Sequence, residues 1–410
     1  MTVEVVAPDR GGVDLEQALQ DLRRAPTHQP FSQGIVDFCS EFSSVLLRET
    51  EALRFPELRV LGFHTRRAAV TELQHHFEAL ASRDCVLVPR GLVFHIPPAN
   101  VDTIFLYSWL LAALTGNRNV IRISSRQSPQ TSLLLRIFGE VTRSGVGDEV
   151  RSTTLILRYG HEREVTAAIS AVADVRVIWG GDGTVNDIRS IPVPPHTRDV
   201  TFPDRYSMAL IKASEYLALD SLQRAEIAGH FFNDTYWFDQ AGCSSPRLLV
   251  WLGGAEACAQ GAQLFIAELD AQIKARRYQL PTGAYLDKLT FACGAVMDGG
   301  VIGYEARGNE LCVLSLRSLQ VLRRDHCGAG LLFQCATERL DDLAEIIERR
   351  DQTLTHFGFT TEELFQFAHA LNGRGIDRMV PIGKALEFHR YWDGFDLLQE
   401  MTRRVHICGR

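Results

Sequence analysis

The chain has 410 residues, of which 46% are hydrophobic, and its formal net charge is -7 at pH 7. This length predicts two domains, each able to bury a core of its own. The acidic balance leaves no basic surplus for a phosphate backbone, which argues against nucleic acid as a partner.

Nine cysteines are scattered along the chain without the dense spacing of a disulfide framework, as is typical of a reduced compartment. They form no CxxC pair and no zinc motif with histidine, so no metal site is predicted. The first twenty residues lack the apolar segment of a secretory signal. The longest apolar run, residues 104–114, is about half the ~20 residues that a spanning helix needs. We therefore expect a cytoplasmic protein without a membrane span.

Residues 1–80 carry amphipathic helical patterns and are expected to form a helical lead-in. After them, strand and helix patterns alternate four times, with strands at 92–96, 120–123, 154–159 and 175–179 and helices at 101–114, from 129, and at 162–172. Alternation of continuously apolar strands with helices predicts a doubly wound parallel sheet covered on both faces.

Longer helical patterns follow from residue 213 onward and indicate a second α/β domain. The predicted helices are 217–232 and 256–277, and the predicted strands are 207–211, 247–252, 312–316 and 330–335.

Three loops follow strands of the first predicted sheet, at 97–100, 124–128 and 180–183. The carboxyl ends of parallel strands are where such sheets bind ligands. The third loop lies in "WGGDGTVNDI", where a glycine turn before a helix can hold a phosphate. Either a plain tight turn or the ATP site of a lipid or nucleoside kinase would also explain it. Asn186 stands where a dinucleotide fingerprint has its third glycine.

The second loop follows Arg122 and contains Ser124, Ser125 and Arg126. Arginine and serine at a strand end can hold a ribose or a 2′-phosphate. A solvated polar loop is the simpler interpretation.

Cys243 lies in "DQAGCSSPRLLVW", in a bend of small residues between a helix and a strand. Space around the sulfur and nearby N–H groups suit a nucleophile, whereas most cysteines are simply small buried hydrophobes. Asn100 follows a strand and precedes a helix, so it either caps that helix or donates to an oxyanion. His95 and His326 are expected to be structural.

Four segments in order carry a family resemblance. They are "GLVFHIPPANVDTIFLYSWLLAALTGNRNVIRIS", "VIWGGDGTVNDIRSIPVPPHTRDVTFPDRYSMALI", "DQAGCSSPRLLVW" and "RMVPIGKALEFHRYWDGFDLL". Together they resemble the LuxC-type acyl-CoA reductases, the fatty acid reductase component of bacterial bioluminescence, within the aldehyde dehydrogenase superfamily.

The resemblance implies an aldehyde dehydrogenase-like α/β fold in three parts. These are a helical lead-in with an NAD(P)-binding domain (1–212), a catalytic α/β domain (213–376) and a C-terminal return to the cofactor domain (377–410). Cys243 would be the nucleophile and Asn100 the oxyanion-hole amide. The other implied residues are cofactor contacts: Pro98, Arg122, Ser124, Ser125, Arg126, Gly180, Gly181, Asp182 and Thr184.

Two substitutions relative to the superfamily bear on the chemistry that the resemblance implies. Arg126 or Ser125 falls near the position of the ribose-binding Glu, which favours NADPH, with NADH possible. Phe202 falls where aldehyde-oxidising members carry the Glu that activates water, so an acyl-enzyme would persist. The segment Gln240-Ala241-Gly242-Cys243 also departs from the Gln-Gln-Ala-Cys of the family.

The resemblance therefore predicts NAD(P)H-dependent reduction of an acyl thioester to an aldehyde. The substrate would be an acyl-CoA or an acyl-carrier protein, an acyltransferase or a carrier protein could be a partner, and the chain would form a homo-oligomer. Two alternatives stay open, a lipid or nucleoside kinase that uses the glycine turn and a non-catalytic acyl-binding partner.

Overall fold

The computed structural model describes residues 2–8, 13–82, 84–98, 100–126 and 128–408. The chain divides into two compact units, Met1–Pro203 with Phe388–Arg410 and Asp204–Glu387. The expected boundaries lay at 212 and 377, whereas strand 206–212 and segment 377–387 lie in the second unit.

Eight strands of the first unit precede residue 203. They are β1 (Thr2–Ala7), β2 (Val13–Asp14), β3 (Cys85–Pro89), β4 (Leu92–Ile96), β5 (Arg118–Ile123), β6 (Thr154–Arg158), β7 (Val175–Trp179) and β8 (Arg198–Phe202). All except β3 form one sheet in the order β2-β1-β6-β5-β4-β7-β8. The five neighbouring strands β6, β5, β4, β7 and β8 are parallel to one another. This confirms the predicted parallel α/β sheet.

In the part of the chain that the structure describes, nine α-helices accompany these strands. They are α1 (Leu15–Arg24), α2 (Gln33–Arg48), α3 (Pro56–Thr65), α4 (Arg67–Glu78), α5 (Ile104–Leu114), α6 (Pro129–Arg143), α7 (Asp148–Thr153), α8 (Arg163–Ser170) and α9 (Asp182–Arg189). Helix α5 is buried at every residue from 105 to 114, because an apolar helix without a polar face has to lie inside the fold.

The lead-in is less purely helical than expected. Strand β1 pairs antiparallel with β6, with Glu4 opposite Arg158, and so extends the central sheet. Helix α5 begins at Ile104 rather than 101, and its N-cap residue is Thr103. The N-cap position of α5 is thus Thr103 and not Asn100.

The second unit has its own seven-stranded sheet. Its strands are β9 (Tyr206–Lys212), β10 (Leu248–Leu252), β11 (Val301–Arg307), β12 (Leu311–Leu316), β13 (Leu331–Thr337), β14 (Asp351–Phe357) and β15 (Arg378–Pro381). The order is β11-β12-β13-β10-β9-β14-β15, and all neighbours except β11 and β12 are parallel.

Six helices cover the second sheet. They are α10 (Ala213–Leu217), α11 (Ser221–Tyr236), α12 (Ala255–Ala275), α13 (Thr282–Met297), α14 (Leu340–Ile346) and α15 (Thr361–Leu371). Alternate residues of β9 pack into different apolar cores on the two faces of the sheet. Met208 and Leu210 belong to one core, and Ala209 and Ile211 belong to the other. Both faces of the sheet are thus buried, as a parallel sheet requires.

The C-terminal segment completes the first unit. It contains β16 (Tyr391–Trp392), β17 (Phe395–Asp396), α16 (Leu397–Glu400) and β18 (Thr402–His406). Strand β18 pairs antiparallel with β3, and the side chain of Asn117 donates to the carbonyl oxygen of Met401 over 2.9 Å. Arg90 donates to the carbonyl oxygen of Glu400 over 2.6 Å.

Of the helices that the structure describes, none combines the length and the apolar character that crossing a membrane would demand. Within the same residues, no three His, Cys, Asp or Glu side chains come together in a group that could hold a metal ion.

Candidate active site

Three loops lie at one edge of the first sheet, because they follow the adjacent parallel strands β5, β4 and β7. The chain fills the sheet from β4 toward β6 and then from β7 toward β8. The order therefore reverses between β4 and β7, and a crevice at such a reversal is the usual ligand site of an open α/β sheet. The residues predicted from these loops thus share one edge.

The loop after β7 offers open backbone at the start of α9. Gly180 has a φ of 157°, and a Cβ there would lie 3.1 Å from the Thr184 side chain. The N-cap residue Gly181 makes no side-chain cap, and a Cβ on Gly183 would meet nothing within 4 Å. A phosphate group fits such an approach, since the N–H groups of a first helical turn favour an anion. Asp182 is the acidic residue of that turn.

Arg122 and Arg126, at the end of β5 and in the loop after it, differ in their contacts. The Arg122 guanidinium lies 5.2 Å from the Tyr159 ring centroid and donates to the carbonyl oxygen of Gly160. It therefore holds the turn after β6. Arg126 and Ser125 are exposed, and the backbone N–H of Arg126 donates to Ser124 Oγ over 3.1 Å. Of the two arginines, Arg126 has the side chain open to a ligand.

The loop after β4 carries Pro98, which is half-buried, and Asn100, which is exposed. Asn100 stands four residues before α5, and the side chain of the cap residue Thr103 makes no capping hydrogen bond. Asn100 therefore lies at the same sheet edge as the other two loops and is exposed to solvent.

Phe202, at the end of β8, is a core residue of the first unit. Its ring stacks on Trp179 with centroids 3.7 Å apart and meets Phe395 edge-on at 5.8 Å. Only 4% of Phe202 is exposed. An aromatic side chain packed in this way has no group that could take a proton from water.

Cys243 lies in the second unit, in the loop between α11 and β10, and is half-buried. Two residues shortly before it, Asp239 and Gln240, have φ values of 50° and 61°. Residues other than glycine rarely adopt this left-handed region, so surrounding contacts must hold the loop in place.

Gln240 supplies those contacts from a fully buried position. Its Nε2 donates to the carbonyl oxygens of Pro246 (2.8 Å) and Leu331 (3.0 Å), and its Oε1 accepts from the backbone N–H of Gly330 (3.1 Å). One side chain thus satisfies three buried backbone groups on both sides of the Cys243 loop.

Arg247 brings a buried positive charge to the same loop. Its Nη1 donates to the carbonyl oxygen of Arg205 over 2.8 Å and its Nη2 to that of Gly242 over 3.2 Å. Burial lowers its pKa, and among the residues described the carboxylate of Asp204 attracts its charge without forming an ion pair with it. The Cys243 sulfur, when ionised, is one of the groups that attract this charge.

Two residues near Cys243 escaped the sequence analysis. Ser207 Oγ donates to the carbonyl oxygen of Cys243 over 2.7 Å, and Gln352 Nε2 lies 3.6 Å from its sulfur. They come together because Ser207 and Gln352 are the second residues of β9 and β14 and Cys243 precedes β10. These three strands are adjacent and parallel. The run of polar residues that opens β14 was the available signal.

His95 and His326 are the two histidines that lie close in sequence to the candidate loops. His95 is fully buried between Ser108 Oγ (2.7 Å from Nδ1) and Asn119 Oδ1 (3.0 Å from Nε2), and burial lowers its pKa to about 4. Nearby protein atoms and the positive charges of Arg247 and Arg350 lower the pKa of His326, although this residue is exposed to solvent. At pH 7 both rings are therefore in the neutral form, with one N–H donor and one acceptor nitrogen, rather than in the imidazolium form.

The fold is that of the aldehyde dehydrogenases. A putative aldehyde dehydrogenase from Burkholderia cenocepacia superposes with a TM-score of 0.65 at 13% identity, covering 99% of this chain and 94% of that one. Aldehyde dehydrogenase 21 from Physcomitrella patens gives 0.66 at 11%, covering 95% and 88%. An indole-3-acetaldehyde dehydrogenase solved in complex with NAD+ gives 0.64 at 12%, covering 97% and 91%.

Residues 75–293 match the family model described as acyl-CoA reductase (LuxC), and the chain belongs to that family. The long-chain acyl-protein thioester reductase of Aliivibrio fischeri is 24% identical over 316 residues, which are 75% of this chain and 61% of that protein. The enzyme of the same name from Photorhabdus luminescens is 26% identical over 167 residues, which are 40% and 32%. The chain therefore matches less than two thirds of the length of these relatives.

Proposed function

We propose that this protein reduces an acyl thioester to an aldehyde with a reduced nicotinamide cofactor. The observation that carries the proposal is the structure of the Cys243 loop. Gln240 holds this loop in place, and Arg247 brings a buried positive charge to it. The chain also belongs to the acyl-CoA reductase family. The relatives named as acyl-protein thioester reductases support the same substrate class.

The first step is attack of the Cys243 thiolate on the thioester carbonyl. A new sulfur–carbon bond forms, the bond to the departing thiol breaks, and that thiol leaves as a thiolate that takes a proton from solvent. The charge on Arg247 favours the ionised sulfur, because attraction between opposite charges is strong where water is excluded. Asn100 and a backbone N–H beside Cys243 donate to the oxyanion in this step.

The second step converts the acyl-enzyme to product. The nicotinamide, when bound, supplies the hydride to the acyl carbon. Cys243 then leaves the resulting thiohemiacetal oxyanion as a thiolate, which releases the aldehyde and restores the enzyme. Phe202 offers no base to activate water, so the thioester on Cys243 survives until reduction rather than being hydrolysed to an acid.

The cofactor site is the edge of the first sheet. The open backbone of Gly180 and Gly181 would face the cofactor with Thr184 beside it, and Pro98 would flank it across the crevice. We assign NADPH as the preferred form, because exposed Arg126 suits a 2′-phosphate better than a free ribose hydroxyl. Met1–Pro203 with the C-terminal segment would be the cofactor domain and Asp204–Glu387 the catalytic domain.

The acyl group would arrive on CoA or on a carrier protein, with an acyltransferase or carrier protein as partner and a homo-oligomer as the working form in the cytoplasm. The fold favours this reaction over the kinase, since the glycine turn lies at the reversal point of a dinucleotide-type sheet. The Cys243 loop favours thioester reduction over a non-catalytic acyl-binding role, because acyl binding alone would not require a cysteine near the buried charge of Arg247.

The test uses a panel of acyl-CoA and acyl-carrier-protein thioesters of varied chain length, monitored by NADPH absorbance with the product identified by mass. We expect aldehyde formation, and a covalent acyl adduct on Cys243 when the cofactor is omitted. Cys243→Ala should abolish both signals, while Cys293→Ala, at an exposed cysteine of α13, should change neither. Aldehyde formation by Cys243→Ala would disprove the proposed nucleophile.

A further inference from the structure

Strand β14 opens with polar residues where a central strand is expected to be apolar. Asp351, Gln352 and Thr353 are all fully buried. Burying a polar group costs free energy unless it is hydrogen-bonded. Asp351 meets this requirement through both oxygens, which accept from Arg324 over 2.8 and 2.7 Å. Gln352 requires a separate explanation.

The backbone is irregular where Gln352 stands. Between the paired positions Tyr206↔Asp351 and Met208↔Leu354, β14 uses one residue more than β9. An extra residue of this kind redirects side chains and is frequent beside active sites. The irregularity therefore sets which way the Gln352 amide points.

The contacts of the amide indicate its orientation. Gln352 Oε1 lies 3.1 Å from Ser244 Oγ and 3.3 Å from Thr353 Oγ1, both of which can donate to it. Ser207 Oγ is 3.5 Å away, but its single hydrogen is used at 2.7 Å on the carbonyl oxygen of Cys243. With Oε1 satisfied in this way, Nε2 faces the Cys243 sulfur at 3.6 Å.

We propose that Gln352 is a catalytic residue that donates a hydrogen bond to the Cys243 thiolate. The donor stabilises the ionised sulfur before attack and again when the thiolate leaves the thiohemiacetal. Since sulfur carries little charge while it is acylated, the bond is strongest in the free thiolate and directs the nucleophile rather than the acyl group. This role rests on the proposed function, in which Cys243 is the nucleophile.

The opposite orientation of the amide has a distinct consequence. If Oε1 faced the sulfur, it would accept from the neutral thiol and would favour the protonated form. A carboxylate at position 352 distinguishes the two cases, because it repels a thiolate but can take the place of an oxygen acceptor. Gln352→Glu is therefore the decisive variant, and Gln352→Met removes the donor while keeping the length of the side chain.

The experiment measures the alkylation rate of Cys243 by iodoacetamide at pH 7.5, resolved from the other cysteines by peptide mass. A hydrogen bond to a charged group contributes about 1.5–3 kcal/mol, so Gln352→Met should slow alkylation at least about tenfold. Gln352→Glu should be slower still. The matched control is Thr355→Val, on the same strand, whose buried hydroxyl has no hydrogen-bond partner among the described residues; its rate should stay within about twofold of the parent.

A second readout separates a role in the chemistry from a loss of fold. Gln352→Met should lower the rate of acyl-adduct formation by the same factor while the KM for acyl-CoA stays unchanged. If both Gln352 variants unfold, Ser244→Ala decides, because it frees the amide to rotate and should slow alkylation about threefold. Parental rates in folded Gln352→Met, faster alkylation in Gln352→Glu, or an unchanged rate in Ser244→Ala would each overturn the proposal.

The outcomes for Gln352 and for the proposed function are distinct. Alkylation reports the sulfur itself and requires no acyl substrate or cofactor. If the parent forms no acyl adduct on Cys243, the proposed function fails whatever the variants show. If the parent forms the adduct and the Gln352 variants alkylate at the parental rate, the role of Gln352 fails alone.

Discussion

The Arg247 guanidinium donates to the carbonyl oxygen of Gly242, the residue that precedes the candidate nucleophile, over 3.2 Å. Only 2% of Arg247 is exposed, and its Nε has no hydrogen-bond partner among the described residues. Keeping an unpaired cation buried is costly. A thiolate at Cys243 would offset part of that cost, which links the position of the charge to the reaction.

Arg247→Met should therefore slow alkylation of Cys243 at least about tenfold. Arg247→Lys keeps the charge but not the two-pronged geometry, and we expect a loss of about threefold. The measurement is the alkylation rate at fixed pH with circular dichroism as the check on folding. Equal losses in the two variants would show that the loop geometry, rather than the charge, sets the reactivity.

Asn100→Ala should lower the rate of acylation about 10²- to 10³-fold, the usual cost of removing an oxyanion donor. Because Asn100 is exposed and the N-cap residue of α5 is Thr103, the variant should remain folded, which the melting temperature checks. Single-turnover release of the thiol measures the effect. Asn100→Asp should be at least as slow, and an acylation rate near that of the parent in either variant would remove Asn100 from the mechanism.

Arg126→Ala should lower kcat/KM for NADPH about tenfold, because it removes one charge-assisted contact to the 2′-phosphate. The value for NADH should stay within about twofold. Arg122→Ala is the comparison, since Arg122 holds the turn at Gly160 and its loss should impair both cofactors alike. A parental enzyme that prefers NADH would refute the assignment of NADPH.

Glu57, in the first turn of α3, makes the stability of the first unit depend on pH. Only 7% of it is exposed, and burial raises its pKa to about 7. Between about pH 4.5 and pH 7 the unfolded chain releases this proton while the folded chain keeps it. The contribution of Glu57 to the free energy of unfolding therefore falls as pH rises through this window and is constant above it.

Glu57→Gln removes that titration. The stability of the variant relative to the parent should increase between pH 5 and pH 8 by about 2 kcal/mol, because a tenfold change in an acid dissociation constant corresponds to roughly 1.4 kcal/mol. Denaturant unfolding at the two pH values measures the difference. A difference between variant and parent that is the same at both would contradict the raised pKa.

The parallel core of the first sheet was predicted correctly, because β4, β5 and β7 each contain neighbouring apolar residues and are separated by recognisable helices. Strand β1 was not predicted, because it lies between β2 and β6 and depends on pairing with β6, about 150 residues away along the chain. The predicted start of α5 is three residues early, because residues 101–103 form a turn that precedes the helix.

Part of the candidate site was likewise predicted from the sequence, and part was not. Cys243 and the glycine turn were found from local composition, since a bend of small residues and a turn before a helix are visible in a few consecutive letters. Ser207 and Gln352 were missed because only strand order brings them to Cys243. Their roles depend on a register that no single segment contains.

The first unit is built from two separate stretches of chain, with all of Asp204–Glu387 between them. Ribosomal synthesis therefore delivers the whole second unit before β18 exists to pair with β3, and Asn117 must wait for the carbonyl oxygen of Met401. The closure entropy of such an insertion grows only with the logarithm of its length. During synthesis, the unit that contains the candidate nucleophile Cys243 is therefore made in full before β18 can pair with β3 in the unit that contains the glycine turn.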